Sequence, residues 1–282
     1  MAASTRTAQL IALVGRSSSP RVGATVLSSP ARRLFPAVQH RSFASSPARA
    51  GQLDGKRIIV TVGAMGIGES VVRAYAAEGA RVWCDGHGAW VGRLSACRRV
   101  VQGVGGLDVM VNVAGIQKHA VPEDVSEELV EAIMKVNLFG TLYTSSVAYH
   151  LFKKYGGGGV ILNFGSYEGL TAGHHNAIYG ATKGGVHTWT RSVAREWGPA
   201  GVRVNAVLPY VATPMYDDFI GAMSPEQLAA HKRELKEQFP LGGNLGDPLK
   251  DLGPVMVFLA SDASHWMTGQ LFPVDGGYVA VR

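Results

Sequence analysis

At 282 residues, 46% of them apolar and 36 of them Gly, the chain is long enough for one large domain with a sizeable core. No apolar run reaches the ~18 residues of a membrane span, so a membrane-spanning protein is excluded. The formal charge of +6 belongs to residues 1–50, which hold seven Arg and no Asp, Glu or Lys; without them 20 Lys plus Arg face 21 Asp plus Glu, and a basic nucleic-acid-binding surface is excluded as well.

That Arg- and Ser-rich, acid-free leader, 1–50, reads as a mitochondrial transit peptide with processing near 40–46 and the matrix as destination, or else as a disordered arm. From Gly51 onward, short β-branched runs alternate with helical patterns. Strands are predicted at 58–62, 81–85, 108–112, 160–164, 202–208 and 271–274, and helices at 68–78, 91–102, 125–154, 176–197, 225–238 and 248–260. Asp124 or Ser126 can cap the long helix, and Gly156–Gly159 ends it. The alternation predicts one α/β domain, 51–282, with a doubly wound parallel sheet.

The first strand leads into Thr61-Val-Gly-Ala-Met-Gly-Ile-Gly68 and then a helix. Gly63, Gly66, Ile67 and Gly68 are the candidate contacts for a dinucleotide, because glycines let the backbone approach a pyrophosphate lying at the helix N-terminus. Asp85, seventeen residues on, ends the second strand, where a carboxylate accepts ribose hydroxyls and repels a 2′-phosphate; this favours NAD over NADP. Cys84 and Cys97 are too few for a disulfide framework, and the nine His lack metal-ligand spacing, so no metal site is expected.

Ser166 precedes Tyr179 by thirteen residues, Lys183 follows one helical turn later, and Asn137 lies upstream. An ammonium beside a phenol favours the phenolate, so Lys183 is expected to lower the pKa of Tyr179 and let it trade protons with an alcohol or carbonyl. Nine Tyr and nine Lys give roughly 0.3 Tyr-x-x-x-Lys matches by chance. Tyr149 and Lys153 form a second such pair, with no Ser thirteen residues upstream, in a run that reads as a packed helix.

With these motifs together, the chain from about Lys56 to Val281 resembles the short-chain dehydrogenase/reductase family. The resemblance is carried by Gly63–Gly68, Asn112-Val-Ala-Gly115, Asn137 in Val-Asn-Leu, Ser166, Tyr179-Gly-Ala-Thr-Lys183, Arg203-Val-Asn-Ala-Val-Leu-Pro209, Thr213-Pro-Met and Thr268-Gly-Gln…Val-Asp-Gly-Gly277. It implies a Rossmann fold, hydride transfer with a nicotinamide and, usually, a homotetramer. It also implies that Asn112, Ala114, Gly115, Pro209, Val211 and Thr213 join the cofactor contacts. Tyr179 would be the acid/base, Lys183 would lower its pKa and bind the nicotinamide ribose, Ser166 would hold the substrate oxygen, and Asn137 would hold the water linking Lys183 to solvent.

Three departures stand against the family pattern. Val62 replaces the first loop glycine. Only 21 residues separate Asp85 from Leu107, enough for one crossover helix, so one edge strand of the sheet is expected to be missing. The Pro209-Tyr-Val-Ala-Thr213 loop lacks a Gly after Pro209. The leading expectation is an NAD-dependent alcohol dehydrogenase or carbonyl reductase; the alternative is a catalytically weak homologue persisting as an oligomeric binding protein. Residues 215–239 read as a lid, with Met215, Tyr216 and Phe219 lining it for a small apolar alcohol or ketone, while a thioester, steroid or sugar stays open.

Overall fold

The computed structural model describes residues 51–84, 105–171 and 173–279, all within a compact unit spanning Ala48–Arg282. The strands are β1 (Arg57–Val60), β2 (Arg81–Cys84), β3 (Val109–Asn112), β4 (Gly159–Phe164), β5 (Val202–Pro209) and β6 (Leu271–Val274). They form one all-parallel sheet in the order β2-β1-β3-β4-β5-β6. Successive side chains on a strand point to opposite faces, and the core divides accordingly. Ile59, Met110, Ile161 and Val204 pack on one face against Ala148, Phe152 and Trp197. On the other face Ile58, Val60, Val111 and Leu162 pack against Val71, Tyr75 and Met256. Strands apolar throughout are what a sheet covered on both sides requires.

The covering helices are α1 (Gly66–Ala77), α2 (Glu127–Met134), α3 (Gly140–Tyr155), α4 (Glu168–Thr171), α5 (Ala177–Trp197), α6 (Pro214–Gly221), α7 (Pro225–Gln238) and α8 (Gly253–Ala260). The Ser126 hydroxyl caps α2 by accepting from the Leu129 N–H, and Gly156, at φ 90°, ends α3. The helix predicted over 125–154 is interrupted by a π turn at Lys135–Phe139. A second π turn, Pro248–Leu252, precedes α8. No described helix is long and apolar enough to cross a membrane.

The chain passes from β1 outward to β2 and returns to β3 on the far side of β1, so the strand order reverses between β1 and β3. Open α/β sheets bind ligands beyond the carboxyl ends of the strands at such a point. The described residues hold six strands, with β2 at one edge. The predicted helix at 91–102 and Asp85 lie outside the described residues, as does the leader.

Beneath that crevice sits a buried polar network. Asn112 and Asn163 are register partners on β3 and β4, and the Asn112 amide donates to Asn163 Oδ1 at 2.8 Å and to Ser145 Oγ at 3.1 Å. Thr144 donates to Asn112 Oδ1 at 2.6 Å, and Asn163 donates to Thr190 Oγ1 at 2.9 Å. Two strands are thereby tied to α3 and α5.

Candidate active site

The glycine-rich turn forms as its composition demands. The N–H groups of Val113 and Ala114 both donate to the buried Thr61 hydroxyl, at 2.9 Å each, closing the crevice between β1 and β3. A Cβ at Gly68 would collide with the Val62 carbonyl oxygen, so only Gly allows α1 to start this close to the strand. Gly66 adopts φ 53° with open space where a side chain would stand, and Met65, at the N-cap of α1, provides no side-chain cap. Uncapped N–H groups behind an open glycine turn fit a dinucleotide pyrophosphate. Val62 itself has φ 55°, a region costly for a β-branched residue.

Asn112 stands at this crevice, but its side chain is committed to the buried network described above. A cofactor contact at Asn112 therefore falls to its backbone, because the amide is used within the sheet. Ala114 is buried. Gly115 lies between two polar groups, since a Cβ there would stand 3.6 Å from both Asn137 Oδ1 and Lys183 Nζ. Pro209 closes β5, and the loop after it is anchored. Tyr210 N–H donates to the Val274 carbonyl at 2.9 Å, Val211 bridges to Gly246, and the Thr213 hydroxyl caps α6.

The π turn places Asn137 inward. Its side chain accepts from the Ile116 N–H at 2.8 Å and donates to the Ile116 carbonyl at 2.9 Å and to Thr182 Oγ1 at 3.3 Å. Lys183, one turn after Tyr179 on α5, is buried, and its Nζ donates to the Phe164 carbonyl at 2.8 Å while standing 5.5 Å from the centre of the Tyr179 ring. Burial lowers the Lys183 pKa to about 8.

Tyr179 corrects an expectation. Its pKa is raised, foremost by burial, with hydrogen bonding to Ser166 opposing and the charge of Glu168 adding to the rise. Burial outweighs any pull from Lys183, whose ammonium is directed at a carbonyl instead. His187, one turn beyond Lys183, is buried and accepts from the Ser166 N–H at 3.4 Å. Burial first, then the charges of Arg191 and Lys183, lowers its pKa to about 4, so it is neutral at physiological pH.

Ser166 and Tyr179 share a cavity of about 240 Å³ with Gln117, Tyr167, Glu168 and Tyr210, and with Pro209, Val211 and Leu245. The expected apolar lining is not there. Met215 and Phe219 are 78% and 56% exposed, and Tyr216 bonds His231 at 3.1 Å and lines a different cavity. None of the three lines the cavity that holds Tyr179. The polar lining comes from residues that sequence reading did not single out: Gln117 follows β3, Tyr167 and Glu168 follow β4, and Tyr210 follows β5. The one sequence signal they share is their position just beyond strand carboxyl ends.

The second Tyr-Lys pair is placed differently. Tyr149 stacks on Trp197 with centroids 4.5 Å apart, and Lys153 is exposed, 5.9 Å from the Tyr149 ring.

A family model described as enoyl-(acyl carrier protein) reductase matches residues 94–279. The chain is 32% identical over 262 residues to an NADP-dependent (R)-specific alcohol dehydrogenase of Lentilactobacillus kefiri, covering 81% of this chain and 98% of that one. It is 36% identical over 255 residues to a 3-alpha-(or 20-beta)-hydroxysteroid dehydrogenase of Mycobacterium tuberculosis, covering 82% and 92%. A crystal structure assigned to the short-chain alcohol dehydrogenases, from Sinorhizobium meliloti 1021, superimposes with a TM-score of 0.72 at 31% identity, over 80% of this chain and 97% of the other.

Proposed function

The chain belongs to the short-chain dehydrogenase/reductase family, and on that premise we propose that it is an NAD-dependent carbonyl reductase and alcohol dehydrogenase whose acid/base is Tyr179. The observation that carries the proposal is the convergence of Ser166 and Tyr179 in one cavity, with Lys183 buried one turn away. A bound nicotinamide would supply or accept the hydride, held by the Gly63–Gly68 turn, the Asn112–Gly115 backbone and the Pro209–Thr213 loop. Ser166 orients the substrate oxygen. A phenol with a raised pKa is protonated at neutral pH, so Tyr179 is suited to give its proton to the oxygen of a carbonyl being reduced. Lys183, with its pKa near 8, can resupply that proton, and Gly115 leaves the space between Lys183 and Asn137 free of a side chain.

Asp85, the residue that follows β2 in the sequence, supports NAD over NADP by its charge. Fluorescence titration of the protein with NADH and NADPH is the test, with NADH expected to bind more tightly. Tighter NADPH binding would remove the NAD preference, and saturable binding of neither would favour the binding-protein alternative. In the same assay Val62→Gly should tighten NADH binding, since it removes a branched side chain where a Gly lets the backbone approach the adenosine side, and relief of the left-handed conformation should raise stability by roughly 1–2 kcal/mol. Unchanged affinity would mean that the turn has already adapted.

The mitochondrial destination belongs to the same proposal and is supported by the acid-free leader. N-terminal sequencing of the endogenous protein should begin between about residues 35 and 55, and an intact Met1 would refute import with processing. The homotetramer implied by the family is also part of the proposal, and sedimentation as a monomer would remove it.

A further inference from the structure

The cavity beside Tyr179 carries a buried carboxylate with no ion-pair partner among the described residues. Glu168 is 9% exposed. One of its oxygens accepts from the Asn176 amide at 3.2 Å, and Asn176 in turn accepts from Gln117 at 3.1 Å. The other oxygen, Oε2, is buried and has no hydrogen-bond partner among the described residues. None of the ion pairs among the described residues includes Glu168, and Lys183 is committed to the Phe164 carbonyl. A Cβ at Gly173 would collide with both carboxylate oxygens, so only Gly leaves the carboxylate its room, and Glu168 lines the cavity that Ser166 and Tyr179 share.

The electrostatics of the lining agree. Tyr167, Tyr179 and Tyr210 are all pushed up, first by burial, next by Tyr278 in the case of Tyr167 and Tyr210, with the Glu168 charge adding to each. Tyr167 and Tyr210 have ring centroids 5.7 Å apart, and Tyr278 stands 5.1 Å from the first and 4.7 Å from the second. A half-satisfied buried carboxylate beside aromatic faces is a binding environment for a cation. A hydroxyl would supply a hydrogen bond without charge, and a carboxylate would be repelled.

We propose that the substrate is a small ketone or alcohol carrying an ammonium group a few atoms from the reacting carbon, with Glu168 as the residue that selects it. This rests on the reading of Ser166 and Tyr179 as the reacting pair. In the reductive direction the carbonyl carbon accepts a hydride from the reduced nicotinamide and its oxygen takes the Tyr179 proton, giving the amino alcohol and the oxidised nucleotide. The ammonium group is unchanged.

The test compares aminoacetone, hydroxyacetone and acetoacetate, which are cationic, neutral and anionic near neutral pH, with the full chain and its Glu168→Gln variant. NADH or NADPH consumption gives turnover, and calorimetric titration of each ketone gives binding apart from turnover. Aminoacetone should exceed hydroxyacetone by about tenfold or more in kcat/KM and in affinity, as expected for a charge-assisted hydrogen bond. Acetoacetate should be the poorest of the three, and Glu168→Gln should erase the ranking. Equal values for aminoacetone and hydroxyacetone in the unmodified protein would overturn the proposal without recourse to the variant, as would a preference surviving in Glu168→Gln. Reduction of the neutral ketone without preference would leave the oxidoreductase reading standing. If no ketone is reduced and neither nucleotide binds, that reading falls, and the calorimetric ranking alone decides the role of Glu168.

Discussion

Replacing Tyr179 by Phe should reduce turnover by at least ~10²-fold while leaving the fold intact, because the substitution removes one hydroxyl from a side chain whose proposed task is proton transfer. Its backbone carbonyl still accepts from the Thr182 hydroxyl, so α5 keeps its local hydrogen bonding. The informative control is Tyr149→Phe. It preserves the stack on Trp197, and an exposed Lys153 has no buried proton to exchange, so turnover should be nearly unchanged. Steady-state rates with the best available ketone, together with circular dichroism of both variants, make the comparison. Activity that survives Tyr179→Phe and disappears in Tyr149→Phe would refute the assignment.

Lys183→Met should act in two directions. Turnover is expected to fall by about 10²-fold, since the variant removes the group that would return a proton to Tyr179, and NADH affinity should weaken with the loss of the proposed ribose contact. Stability should respond with a definite sign. The folded-state pKa of Lys183 is about 8 against an ordinary lysine value of 10.5, so between these values the unfolded chain holds a proton that the folded chain has released. Stability contributed by this group is fully present above 10.5, diminishes as pH falls through that window and is lost below 8. The thermal or denaturant stability of the unmodified protein, measured relative to Lys183→Met, should therefore rise from pH 8 to 10.5, by up to about 3 kcal/mol. A flat difference over that range would show that Lys183 is not held in a desolvated site.

The strands were legible because apolar runs bounded by Gly and polar residues are local signals; the predicted and observed β6 coincide at 271–274. The spacing of Ser166, Tyr179 and Lys183 was legible for the same reason, since two of them share one helix. The π turn at Asn137 was not, because a shift of backbone hydrogen bonding from i+4 to i+5 leaves the apolar pattern almost untouched. The raised pKa of Tyr179 depends on how deeply the ring is buried, which no spacing encodes. Glu168, Gln117 and Tyr210 enter the cavity from three separate segments, and only the sheet order brings them together. Met215 and Phe219 were misread because an apolar residue in a lid segment can face either way, and here both are exposed.

The Asn112–Asn163 pair has a consequence for how the chain finds its fold. Ile58-Ile-Val60, Val109-Met-Val111 and Val160-Ile-Leu162 are apolar on both faces, so sliding one strand past the next by a residue would still bury oily side chains. The hydrophobic effect rewards such a misalignment nearly as well as the correct one. Two amides at matching positions do not. They meet at 2.8 Å only when β3 and β4 are aligned as observed, and any slip would strand buried polar groups inside the sheet. The pair acts as an address within an otherwise featureless stretch, and it fixes how far the end of β4, and Ser166 beyond it, stands from the crevice.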